Sequence, residues 1–87
     1  VRLTERTKLS DDETALYDVL RVLRGKLARE ANIPAYVVFS NATLQDMARK
    51  RPRTMMDFRR VSGVGELKAS WYGKAFLERI REYLNSQ

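Results

Sequence analysis

Between Val61 and Lys68 the chain reads Val-Ser-Gly-Val-Gly-Glu-Leu-Lys, two glycines one residue apart ahead of a helical pattern. Glycine adopts positive φ without a Cβ penalty, and a turn of this kind can aim backbone N–H groups outward at a helix N-terminus, where a phosphate binds. Lys68 would assist. Glu66 argues against that chemistry, because it already sets a carboxylate at the same helix end and repels a second anion. A structural hairpin is the better reading of these residues.

The other residues that could do chemistry are few. Asp11, Asp12 and Glu13 are consecutive carboxylates, but Ser10 precedes them. That order fits a capping box, with the Ser10 hydroxyl on the third amide and Glu13 reaching back toward the N-cap. The chain has no histidine and no cysteine. The commonest metal ligand, the commonest general base and the thiolate are therefore all missing, which excludes zinc centres and histidine-based triads. No catalytic constellation is visible, and no metal or cofactor is expected.

Charge points elsewhere. Lys and Arg number 17 against 11 Asp and Glu, a net charge of +6, so the surface potential should attract polyanions. Nucleic acid is the first partner to test. An anionic membrane surface is the competitor, but no run approaches the roughly 18 apolar residues of a spanning helix. The expectation is a soluble, intracellular monomer. Arg49, Lys50, Arg51, Arg53, Arg59 and Arg60 face a single acid, Asp57, between residues 49 and 60. Such a run is either a solvated face or a polyanion site. A second basic group, Arg21, Arg24, Lys26 and Arg29, lies on the polar side of the first helical pattern. Tyr36 follows it on a loop. A loop tyrosine beside Arg or Lys can stack an unpaired base. It can equally pack its ring on the fold with a wet hydroxyl, and by pattern alone that second arrangement is the commoner.

The elements that must position these residues follow from periodicity. Residues 1–10 show no sustained pattern and are expected to be a linker or disordered tail, with the folded domain over 11–87. Leu16, Val19, Leu20, Leu23, Leu27 and Ala31 recur at helical spacing and predict a long amphipathic helix that ends at Asn32. Gly25 within it suggests close helix packing. Pro34 then breaks the pattern, and Ala35 to Phe39 reads as an extended connector plugging the core, too short for a helix. Ser40 or Asn41 caps a helix running to about Lys50, which Pro52 stops. Thr54 and Asp57 start a short helix carrying Met55, Phe58 and Val61. After the glycine turn, Leu67 and Trp71 lie on a helix to about Tyr72. Gly73 marks a break or kink, and Phe76, Leu77, Ile80 and Leu84 form a final helix. Of the adjacent Trp71 and Tyr72, at least one belongs in the core. At 87 residues this is one all-α domain, a compact bundle of about five helices.

Several of these motifs, in order, resemble one family. Leu20-x-x-Leu23-Arg24, Ile33-Pro-Ala-Tyr-Val-Val-Phe39, Ala42-Thr-Leu44, Met47-Ala48, Pro52, Val61-Ser-Gly-Val-Gly65 and Tyr72-Gly73 look like an HRDC domain, the helicase and RNase D C-terminal module. The likeness covers about residues 12–84 and is nearer the RecQ-helicase branch. It implies a helix-hairpin-helix-like element and a non-catalytic accessory role on single-stranded or branched DNA beside an ATP-dependent helicase core. It also implies a DNA contact at Tyr36, which reverses the reading from pattern alone, with Arg24, Lys26, Arg29 and Lys68 as phosphate contacts. A module that docks on the helicase core or a DNA-repair partner is the alternative, and an RNA-handling domain of the RNase D type is a third.

Overall fold

Ser10 opens the first helix with the full capping box. Its hydroxyl accepts from the Glu13 amide at 3.2 Å, and the Glu13 carboxylate accepts from the Ser10 amide at 3.0 Å. The computed structural model describes residues 9–87, so the expected linker lies outside the described residues apart from Leu9 and Ser10. Helix α1, Asp11–Ala31, buries Leu16, Leu20, Leu23 and Ala28. It ends on Asn32 in the left-handed region (φ 60°), with the Ile33 amide donating back to the Ala28 carbonyl at 3.0 Å. That is a Schellman-type stop, for which asparagine is the usual substitute for glycine.

The segment after Pro34 differs from expectation. Ala35–Val38 is a single helical turn, α2, and not an extended connector. Among the described residues there is no strand to receive an extended segment's N–H and C=O groups, and a turn satisfies them locally. The Val37 amide donates to the Pro34 carbonyl at 3.0 Å. The expectation that this segment plugs the core holds for Val38 and Phe39, which are buried. Arg24 secures the exit from the turn, donating from Nη1 to the Phe39 carbonyl at 3.0 Å and to Asn41 Oδ1 at 2.8 Å.

Helix α3, Asn41–Lys50, is capped by Ser40, and α4, Met55–Arg59, by Thr54. Helix α5, Glu66–Asn85, runs unbroken through Gly73. No kink forms there. The glycine is instead a contact point: a Cβ would lie 2.7 Å from Met55 Cε and 3.6 Å from Phe58 Cδ2, so α4 seats directly on α5. Among the described residues five helices form, the number expected, but the set differs. The connector adds one and the last two are continuous. Gly25, by contrast, is not a helix-packing site, since a Cβ there would meet only Arg29 Nη1 of the same helix.

Helix α1 packs on α2, α3 and α5, and α4 on α5. The centre is aromatic. Phe39 sits edge-on to Phe58, Tyr72 and Phe76, with ring centroids 6.0, 5.8 and 5.2 Å away. Such edge-to-face pairs add about 0.5–1.5 kcal/mol each beyond the area they bury.

The two glycines of the hairpin are not equivalent. Gly63 has φ 87°, and a Cβ on it would strike Thr43 Oγ1 of α3. Gly65 has an ordinary φ and open space around it. Asp46 of α3 ties the turn down, accepting from the Ser62 amide at 2.8 Å and from Lys50 Nζ at 2.9 Å. Partial burial alone pushes its carboxyl up, but those two donors and the Arg49 charge hold it below its ordinary 3.8.

Four outcomes are expected from urea unfolding. Gly63→Ala loses about 2–4 kcal/mol from left-handed strain and the Thr43 clash, whereas Gly65→Ser gains a few tenths by supplying an N-cap hydroxyl. Arg24→Met loses about 1–3 kcal/mol by leaving the buried Phe39 carbonyl unpaired, with faster amide exchange at Val37. Asp46 is a depressed carboxyl, so the stability it adds is present above its unfolded value near 3.8. That stability is lost as pH falls through the lower folded value, and Asp46→Asn removes this part of the acid sensitivity.

Candidate nucleic-acid interface

Tyr36 stands on the α2 turn with 71% of its surface exposed. Its backbone is braced on both sides, by the Pro34 cap and by the Arg24 hold on Phe39. Its hydroxyl has no hydrogen-bond partner among the described residues, so the ring neither packs into the bundle nor anchors to a carbonyl. A tyrosine exposed on a braced turn presents a flat π face at low entropic cost.

The basic residues expected around it are not in one place. Arg24 is buried, 9% exposed, with two of its donor bonds directed at Phe39 and Asn41 and its Nε unpartnered inside the fold. It positions the Tyr36 turn and does not offer its charge to a ligand. Sequence alone could not separate these roles, because Arg24 falls between exposed Arg21 and Arg29 in one run of basic residues. Lys26 lies on the other side of α1, in a groove of about 230 Å³ shared with Arg79 and with the three acids Glu30, Glu78 and Glu82. Those carboxylates offset its attraction for phosphate. Arg29 is exposed. Arg21 lines a groove of about 400 Å³ with Asp18, Val22, Arg24, Gly25 and Ala35, beside the Tyr36 turn. Gly25 keeps that groove open, which the helix-packing expectation for this glycine missed. Lys68 is half-buried on α5, with Nζ 5.9 Å from the centroid of the Phe39 ring. It therefore reaches the exit of the same turn from the opposite element.

The second basic run is partly engaged. Lys50 pairs with Asp46 and donates to the Arg60 carbonyl, and Arg59 lies 3.5 Å from Glu66. Arg51 caps α3 in the left-handed region, while Arg53 and Arg60 are exposed. Exposed pairs such as Arg59–Glu66 are weak, so this face keeps a positive potential.

The glycine turn is poorly suited to hold a phosphate. Its Ser62 amide already donates to Asp46, its Val64 amide donates to Val61, and Glu66 heads the helix behind it. An anion there would meet two carboxylates. Tyr72 is the inward member of the aromatic pair on α5. Trp71 is 63% exposed and Leu67 66%, an outcome that the helical spacing of Leu67 did not foretell.

Comparison with known proteins bears on the family and the fold. The family model of the HRDC domain matches residues 13–80. The ATP-dependent DNA helicase RecQ of Haemophilus influenzae is 35% identical over 79 residues, which are 91% of this chain and 13% of that protein. RecQ of Bacillus subtilis is 40% identical over 68 residues, 78% of this chain and 12% of that one. Among solved structures, D. radiodurans RecQ HRDC domain 3 superposes with a TM-score of 0.80 at 39% identity. It covers 83% of this chain and 95% of its own. The chain thus spans 12–13% of the length of these curated relatives. Matched by the family model over residues 13–80 and superposing on an HRDC domain at 39% identity, the chain belongs to the HRDC domain family.

Proposed function

We propose that this chain is a non-catalytic accessory domain of a RecQ-type DNA helicase, binding single-stranded or forked DNA and so helping to target or regulate the motor. The ATP-dependent motor lies elsewhere in the parent polypeptide, inside the cell. The observation that carries this reading is Tyr36, 71% exposed on a braced turn of a chain with net charge +6. A base stacks on the ring, while Arg29 and Lys68 meet the flanking phosphates, joined by Arg21. Lys26 and Arg24 play smaller parts, the first offset by acids and the second turned inward. The relatives named RecQ support the helicase context.

A second reading has one observation in its favour. Met56 is 65% exposed on α4, three or four residues from Arg53, Arg59 and Arg60. An apolar side chain among arginines suits an acidic protein surface, on the helicase core or a DNA-repair partner. Capture of a RecQ helicase core without any binding of DNA would favour it.

Fluorescence anisotropy of a labelled oligothymidylate across a salt series tests the first reading. Three neutralised phosphates give a log-log slope of about −2, at roughly −0.7 each. Tyr36→Ala weakens binding by about 5- to 100-fold, the equivalent of one lost stack. Lys26→Gln changes it little. Unchanged binding by Tyr36→Ala would remove the proposed site, and absence of any salt-sensitive signal would remove the function.

A further inference from the structure

Helix α5 carries the chain's single tryptophan, and it is outside the core. Trp71 is 63% exposed and Leu67, one turn earlier, 66%. A large indole left in water is unexplained by folding, since the two turns around it already bury Ala69, Gly73 and Phe76. The ring is nonetheless propped. Tyr72 meets it edge-on at 6.2 Å and 79°, and Tyr72 in turn meets Phe39 at 5.8 Å. Phe39 ends the α2 turn on which Tyr36 stands, and Lys68 Nζ lies against its ring. The turn of α5 bearing Lys68, Trp71 and Tyr72 therefore abuts the element that bears Tyr36.

The surrounding charge indicates what covers this face. From Leu67 through Leu77 there are two lysines, Lys68 and Lys74, and no acid; of the bounding acids, Glu66 pairs with Arg59 and Glu78 lines the groove with Lys26. An apolar protein surface would bury Leu67 and Trp71 but leave both ammonium groups to find counter-charges. A single strand supplies a planar base and an anionic phosphate in every nucleotide, matching an aromatic set between two cations.

We propose that Trp71 is a second base-stacking platform, with Lys68 and Lys74 taking the flanking phosphates of the strand that also covers Tyr36. The inference rests on the nucleic-acid reading above but adds a separate contact to it. Two aromatics on different helices would hold a strand across the α2–α5 junction. Stacking does not displace counterions, so Trp71 contributes to affinity without contributing to its salt dependence, whereas Lys74 contributes to both.

The single tryptophan makes the test direct, because its emission reports only position 71. Oligothymidylate is titrated into the protein while strand anisotropy and tryptophan emission are followed together, with circular dichroism checking the fold of each variant. Quenching that tracks the anisotropy is expected. Trp71→Ala should weaken binding by roughly 5- to 100-fold with an unchanged salt slope, and Trp71→Phe should restore most of it. Lys74→Gln should make the slope shallower by about 0.7. Strand binding with no change in emission and a Trp71→Ala variant of full affinity overturns this inference while leaving the Tyr36 reading intact. No strand binding at all overturns both. Emission that responds to a RecQ helicase core and not to the strand assigns the face to protein docking and overturns the inference.

Discussion

The hold of Arg24 on the Phe39 carbonyl is the constraint on which the rest of the structure depends. A bundle this small has one aromatic centre, and Phe39 is the only member of it contributed by neither α4 nor α5. Its ring touches both those helices, while its backbone is held from α1. A one-turn helix has little stability of its own. Anchored at Phe39, it becomes a fixed pedestal, and Tyr36 projects from it. The buried arginine therefore acts on the surface through position, where its sequence neighbours act through charge.

The hairpin shows the same division of labour. Gly63 is required because φ is positive and Thr43 occupies the space of a side chain, while Gly65 is merely a helix cap without a hydroxyl. Asp46 and Glu66 set carboxylates at that corner, with Lys50 and Arg59 as their partners. Two carboxylates near backbone amides are good for holding a turn and poor for holding a phosphate.

Legibility differed by element. The caps at Ser10, Ser40 and Thr54 and the stops at Asn32 and Pro52 are local chemistry, and each helix they delimit was readable from spacing. The α2 turn was not, because Tyr-Val-Val-Phe favours extension locally, and it is reversed by Arg24 at the exit and by the lack of a pairing strand among the described residues. Gly73 read as a break because glycine weakens an isolated helix. Its companion residues Met55 and Phe58 lie on another element, so the reason for the glycine could not be read from its own segment.

By itself the sequence determined the all-α class, the caps that open α1, α3 and α4, the sign of the net charge and the family, because capping, periodicity and net charge are properties of neighbours along the chain. Tertiary structure alone decided which charged and aromatic residues face water. Arg24, Lys26 and Arg29 sit within six positions of one another, yet one is buried, one is set among acids and one is exposed. Tyr72 and Trp71 are adjacent and divide between core and solvent. A helix turns about 100° per residue, and only the elements packed against it determine what each direction meets.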